Sequence, residues 1–182
     1  FGKNVFKESD FWSYDKNLLD KIKKKYNDYN YGFYETHKLG EKILQYNQSG
    51  GAEWMGASVD HINQVMYVTA NNIPYETEIE IDDENSLIPS YTSFHERALD
   101  KNGFPISKPP WGTITAMDLN TGSINWQIPF GEYEALSSMG LDKTGTENFG
   151  GVTGTEGNVL FATGTLDKKF YVFNTENGKK LF

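Results

Sequence analysis

Two stretches of this 182-residue chain are copies of one design, and that repeat constrains the fold more than any other feature. Aligning Asp118 with Asn174, an offset of 56, sets Ile114 against Phe170, Gly122 against Gly178 and Trp126 against Phe182. Aligning Val65-Met66-Tyr67 with Val159-Leu160-Phe161 needs an offset of 94, so the first copy carries 38 additional residues between Asn71 and Pro110. Each copy reads strand, strand, turn, strand and closes on an aromatic residue. Short antiparallel strands repeated in this way point to propeller blades, each a four-stranded sheet of about 40–50 residues, with about 4–8 blades to a ring. The expected fold is therefore all-β: a partial β-propeller of about two blades, with a short N-terminal helix and a long inter-strand insertion. We read residues 1–182 as one partial propeller domain: a helical or irregular lead-in over 1–48, a first blade over 49–130 with the insertion at about 72–110, and a second blade over 131–182. Two blades cannot close a ring, so the chain is expected to be a piece of a longer polypeptide. Alone it should be unstable, aggregate or pair with other blades through its open sheet edges.

Local patterns fill in this outline. Asp15 to Tyr26 places Leu18, Leu19, Ile22 and Tyr26 at helical spacing, with Asp15 as N-cap and lysines opposite, read as a solvated face. Gln64 to Asn71, Thr113 to Leu119, Ser123 to Pro129, Asn158 to Gly164 and Lys168 to Asn174 read as strands. Asn120-Thr121-Gly122 forms a tight hairpin turn, and Thr175-Glu176-Asn177-Gly178 repeats it. Glu76 to Glu84 alternates carboxylates, which suggests a solvated edge strand protected by charge rather than a cation site; it lacks the ligand order of an EF-hand.

Composition excludes several functions. A formal net charge of −8 is unlike a nucleic-acid-binding face. There is no cysteine, hence no disulfide or thiolate metal site. No stretch approaches the roughly 18 apolar residues of a membrane-spanning helix. His37, His61 and His95 match no zinc spacing and read as loop residues. No nucleophile elbow, P-loop or dinucleotide fingerprint is present.

Ala116-x-Asp118-x-x-Thr121-Gly122-x-x-x-Trp126 matches in full the tryptophan motif of pyrroloquinoline-quinone (PQQ) dependent dehydrogenases, and the second copy keeps Gly178 while substituting Asn174, Asn177 and Phe182. With "GGAEW", "KPPWGTITAMDLNTGSINWQIPFGEY" and "TGTENFGG…DKKFYVFNTENGKKL", the chain resembles the C-terminal part of these enzymes, in the branch of the membrane-type quinoprotein glucose dehydrogenases. The resemblance implies an eight-bladed propeller with the quinone on its axis beside Ca²⁺, oxidation of a small alcohol or sugar, electron transfer to a quinone or cytochrome, and a periplasmic location. It assigns the tryptophan motif a structural role, locking neighbouring blades. It also implies that the catalytic aspartate and the calcium ligands lie in other blades. This stretch, with no catalytic or metal-binding residue of its own, would supply part of the cofactor pocket and be inactive alone; its partners would be the remaining blades.

Three strings are candidates for that pocket. In Gly50-Gly51-Ala52-Glu53-Trp54, the glycines let backbone approach a planar ligand and Trp54 offers a flat face. Related alcohol dehydrogenases have Asn where Glu53 stands, and an ionised Glu only accepts hydrogen bonds. The site reading is preferred here to a turn before a core tryptophan. In Thr144 to Val152, Asn148 offers donor and acceptor, and Phe149-Gly150-Gly151 takes the place of a Trp-Gly-Gly that approaches the cofactor in the alcohol branch. A glycine-rich entry to an inner strand explains that string equally well. For Lys108 to Gly112, a loop folding back onto the blade is preferred to Trp111 capping a pocket. The alternative function is a noncatalytic propeller scaffold of the outer-membrane assembly type, which shares tryptophan-type repeats but has no use for glycines facing an empty axis.

Overall fold

The computed structural model describes residues 2–33, 35–46, 48, 51–52, 55–82, 87–88 and 90–182. In chain order the described elements are a 3-10 turn at Glu8–Asp10, α1 (Lys16–Lys25), β1 (Ile43–Tyr46), β2 (Ala57–Asp60), β3 (Val65–Asn71), β4 (Pro74–Ile81), β5 (Tyr91–Arg97), β6 (Gly112–Asp118), β7 (Ile124–Pro129), α2 (Glu134–Ser137), β8 (Val152–Gly154), β9 (Val159–Ala162) and β10 (Tyr171–Asn174). They fall into two compact units, one of Gly50–Asn72 and Pro109–Phe182, the other of Lys3–Ser49 and Ile73–Lys108.

The first unit contains the repeat. β2-β3-β6-β7 form an antiparallel four-stranded meander, and β8-β9-β10 form a three-stranded one, with Phe173 and Lys180 bridging where a fourth strand begins. The offset of 94 carries Val65 of β3 onto Val159 of β9, and the offset of 56 carries Asp118 of β6 onto Asn174 of β10. The copies agree down to individual hydrogen bonds. Asp118 Oδ1 accepts from the N–H groups of Asn120 and Thr121 at 2.7 and 2.9 Å, and Asn174 Oδ1 accepts from those of Glu176 and Asn177 at 3.0 and 3.2 Å. Asp118 O accepts from Gly122 N at 2.8 Å; Asn174 O accepts from Gly178 N at 2.9 Å. Both glycines are left-handed, at φ +72° and +69°, which is what closes the turn. Ala116 pairs with Trp126 in the first sheet, and Val172 and Phe182 exchange N–H···O bonds of 3.1 and 3.3 Å in the second. The degenerate copy therefore keeps the geometry, because Asn supplies the same acceptor as Asp.

The two sheets stack through opposite faces. The first presents Tyr67, Ile114 and Ala116, with Trp126 at its margin; the second presents Val152, Leu160, Ala162, Tyr171 and Phe173. Shifted by the repeat offsets, Leu160, Ala162, Tyr171 and Phe173 fall on positions 66, 68, 115 and 117, alternate to Tyr67, Ile114 and Ala116, as propeller stacking requires. Phe130 seals the seam, edge-on to Tyr171 at 5.5 Å. Each buried Val, Leu, Ile or Phe side chain here contributes about 1.5–3 kcal/mol. Ser58 Oγ accepts from Gly154 N at 2.9 Å, which places the first strands of the two sheets side by side.

The second unit joins the lead-in to the insertion. β4, from the insertion, lies between β1 and β5 in an antiparallel sheet. α1 spans ten residues, capped by Asp15 Oδ1, which accepts from Asn17 N at 2.7 Å. Its Leu18 and Ile22, with Tyr26 just beyond, pack on Phe6, Phe11, Leu44, Tyr46, Ala98 and Ile106. The acidic ladder is not an edge strand: β4 is central, and β5 is the exposed edge. The reason is that its carboxylates find partners. Glu76 pairs with Lys25 at 3.1 Å and accepts from Tyr29 at 2.8 Å, and Glu78 pairs with Lys42 at 3.2 Å. One helix lysine is thus an ion-pair partner rather than a purely solvated group. Asp83 and Glu84 lie outside the described residues.

Candidate functional site

The end of β3 and the string after α2 meet in a small buried polar cluster. Asn148 is wholly buried. Its backbone N–H donates to Asn71 Oδ1 at 2.8 Å, and its carbonyl oxygen accepts from Asn71 Nδ2 at 2.9 Å. Its side-chain Nδ2 donates to Asn71 Oδ1 at 2.9 Å and to Ala70 O at 3.4 Å. Asn71 N in turn donates to Gly51 O at 2.9 Å. Gly51 and Asn148, distant in sequence, are therefore brought together through Asn71. One atom of the cluster, Asn148 Oδ1, is buried without a hydrogen-bond partner, as is Thr144 Oγ1 at the start of the same string.

The remaining predicted positions differ from one another. Phe149 is 42% exposed, while its N–H donates to Gly164 O at 3.0 Å. Gly150 serves backbone packing: a Cβ there would lie 1.8 Å from Thr163 O, and Gly150 O accepts from Thr69 Oγ1 at 3.2 Å. Gly151 is more open, its nearest neighbour being Met55 O at 3.3 Å from an added Cβ. Trp111 is fully buried and edge-on to Tyr133 at 5.3 Å, with its backbone N–H on Thr144 O, which fits a loop folded onto the blade. Gly50, Glu53 and Trp54 lie outside the described residues.

Of the structural motif, Ala116 is buried beside Trp126, and Asp118, Thr121 and Gly122 form the turn described above. Trp126 Nε1 reaches the next sheet at Thr175 O, 2.9 Å away. The hydrogen bonds from Thr121 and Asn120 hold the Asp118 carboxyl below the usual carboxylate range.

Two residues carry roles that sequence reading missed, and a third, Glu147, stands out by its burial. Asn71 ends a β-branched run followed by a second Asn, a strand-poor pair whose side chains favour backbone partners; that was its available signal. Glu147 is a carboxylate buried next to Asn148. Asp167 accepts from Thr165 Oγ1, the Tyr171 hydroxyl and the backbone N–H of Glu132. Burial pushes its carboxyl up, but these hydrogen bonds outweigh burial and leave it below the ordinary value.

A cavity of about 480 Å³ in the same unit is lined by Asp60, His61, Tyr67, Glu156 and Thr175 among others, and by none of the predicted site residues. Asp60 is already engaged there, capping the Ile62 and Asn63 N–H groups, and Glu156 lies at the turn before β9. Among the described residues, no group of three or more His, Cys, Asp or Glu side chains could hold a metal ion, and no helix is long and apolar enough to cross a membrane.

The profile of the β-propeller domain of glucose/ethanol/alcohol dehydrogenases (PQQ) matches residues 2–182. Quinate/shikimate dehydrogenase (quinone) of Acinetobacter baylyi is 26% identical over 209 aligned residues, covering 100% of this chain and 26% of that protein. Quinoprotein glucose dehydrogenase A of Acinetobacter calcoaceticus is 28% identical, covering 73% of this chain and 19% of its own length. The glycerol dehydrogenase large subunit of Gluconobacter oxydans is 24% identical, covering 95% and 28%. The chain thus spans between 19% and 28% of the length of these curated relatives.

Proposed function

The chain belongs to the PQQ-dependent glucose/ethanol/alcohol dehydrogenase β-propeller family, and on that premise we propose that it forms part of a quinoprotein dehydrogenase and supplies one arc of its cofactor pocket. The observation that carries this reading is the buried Gly51–Asn71–Asn148 cluster, whose one orphaned acceptor suits a polar ligand. A buried acceptor without a partner costs about 1–3 kcal/mol, and such sites concentrate where a ligand or water completes them. Gly151 is less crowded than Gly150, an added Cβ meeting only Met55, at 3.3 Å from its O and 3.8 Å from its Cβ.

When bound, PQQ would supply the two-electron oxidising chemistry. The residues of this chain bind and orient. Asn148 would contact the cofactor's polar rim, the Gly151 backbone would flank it, and the buried Thr144 and Thr146 of the same string would exclude water; the family resemblance assigns Glu53 and Trp54 to the same pocket. The substrate is a polyhydroxylated alcohol or sugar; relatives carry quinate, glucose and glycerol in their names. The acceptor is a quinone, as the name of the quinate/shikimate dehydrogenase (quinone) relative has it. Ca²⁺, which the family resemblance implies, would act as a Lewis acid on the quinone with ligands drawn from other blades, and a periplasmic setting is part of the same proposal. Further blades dock on the face carrying Phe161, Phe170 and Phe182, which are 36%, 55% and 78% exposed and repeat the positions of Tyr67, Ile114 and Trp126.

The test is reconstitution of the complete polypeptide with PQQ and Ca²⁺. Stoichiometric appearance of bound-quinone absorption, bleached by a polyol substrate, is the expected result. No binding would overturn the reading and favour the noncatalytic scaffold.

A further inference from the structure

The orientation of the Asn148 carboxamide is dictated by its neighbours. Asn71 Oδ1 lies 2.8 Å from Asn148 N, a peptide group that only donates, and Asn71 Nδ2 lies 2.9 Å from Asn148 O, a carbonyl that only accepts. Those two peptide groups fix which end of the Asn71 amide is which. The Asn148 side-chain atom 2.9 Å from Asn71 Oδ1 must then be a donor, hence Nδ2. Its second hydrogen is directed to Ala70 O, 3.4 Å away. Both donors are committed, and only Oδ1 is left without a partner. From the sequence Asn148 offers donor and acceptor alike; in the folded chain it offers an acceptor alone.

We infer that Asn71 is a positioning residue that makes Asn148 a dedicated acceptor, and that Asn148 Oδ1 receives a hydrogen bond from an N–H or O–H group of the bound cofactor. This rests on the proposed cofactor reading. The chemistry narrows the choice of donor. Carbonyls, ionised carboxylates and a pyridine nitrogen only accept, so oxidised PQQ has a single donor, its pyrrole N–H. Two-electron reduction adds hydroxyls. An acceptor on the pyrrole N–H holds both redox forms; an acceptor on a hydroxyl favours the reduced form and raises the potential.

The experiment uses the complete polypeptide, freed of cofactor and titrated with PQQ in oxidised and reduced form, with tryptophan fluorescence quenching read well below the melting temperature. Asn148→Leu is expected to weaken binding by about tenfold, the loss of one good hydrogen bond. Equal weakening of both forms identifies the pyrrole N–H; weakening of the reduced form alone, with a lowered midpoint potential, identifies a hydroxyl. Asn71→Leu should act in the same direction, and Asn71→Asp, which keeps the acceptor facing Asn148, should retain more affinity than Asn71→Leu. Variants that bind both forms as tightly as wild type, or Asn71 variants that shift only the melting temperature, overturn the inference. Wild type that binds no PQQ overturns the proposed function itself. Should the variants not fold, a crystal structure of the wild-type holoenzyme decides. Asn148 Oδ1 within about 3.2 Å of the pyrrole nitrogen, or of a quinone oxygen after reduction, supports the inference; a longer separation overturns it.

Discussion

Trp126 Nε1 donates to Thr175 O at 2.9 Å, a bond that crosses from the first sheet of the propeller unit to the turn of the second. The indole also occupies the space beside Gly178: a Cβ there would lie 2.8 Å from Trp126 Cε3 and 3.1 Å from Ile128 Cγ2. The repeat thus locks to its neighbour through an aromatic residue from one copy and a glycine from the next. Gly122, the equivalent glycine in the first copy, has nothing within 4 Å of an added Cβ. The pair separates two costs. Gly122→Ala should carry only the left-handed backbone penalty, about 1–2 kcal/mol. Gly178→Ala should carry that penalty and a clash with the indole, lowering the melting temperature further. Equal shifts in thermal denaturation would show that the indole does not depend on Gly178.

The turns predict a second contrast. Asp118 and Asn174 perform the same task with different chemistry, each accepting two backbone N–H groups through one oxygen. Asp118→Asn should therefore keep the turn, and Asp118→Ala should loosen it. Hydrogen exchange at Asn120 and Thr121 amides reads this directly: unchanged protection in the Asn variant, lost protection in the Ala variant.

Asp167 predicts a pH dependence. Its folded-state carboxyl lies below the ordinary value, since hydrogen bonds from Thr165, Tyr171, Lys169 and Glu132 outweigh the effect of burial. A carboxyl with a depressed folded-state value contributes stability in full above the unfolded value of about 3.9 and loses it as the pH falls through the folded value. Melting temperatures of wild type should fall below about pH 4. Asp167→Asn should be less stable at pH 7 and lose less on acidification, with the two curves converging at low pH. Parallel curves would remove Asp167 from the acid sensitivity.

The parts of the fold that were legible in the sequence are those set by neighbours along the chain. α1 follows from Asp15 and the spacing of Leu18, Ile22 and Tyr26, and the two turns follow from Asp118, Asn174 and their glycines. The repeat was legible because both copies need the same local chemistry. The central place of β4 was not, because the partners of its carboxylates, Lys25, Tyr29 and Lys42, come from a segment more than thirty residues upstream. At the site, Asn148 could be singled out as a polar residue beside glycines, whereas Asn71 offered only a strand-poor Asn pair as a signal, and its role exists only once β3 meets the later string. Gly150 shows the same limit: the close approach it permits is to Thr163 backbone, a neighbour no local pattern identifies.

That long-range pairing at β4 gives the last prediction. Tyr26 and Tyr29 both contact Glu76, at 3.4 and 2.8 Å, and both hydroxyls are pushed up from the ordinary tyrosine value, first by burial and then by that carboxylate. Glu76→Gln removes the charge and keeps a hydrogen-bonding side chain. The two tyrosines should then ionise at lower pH than in wild type, yet still above the ordinary value of about 10, because burial remains. Spectrophotometric titration of the tyrosines, with Tyr26→Phe and Tyr29→Phe to assign the steps, measures both shifts. A return to the ordinary value would make Glu76 the larger cause. No movement would mean that the carboxylate at the centre of this sheet is matched by Lys25 alone.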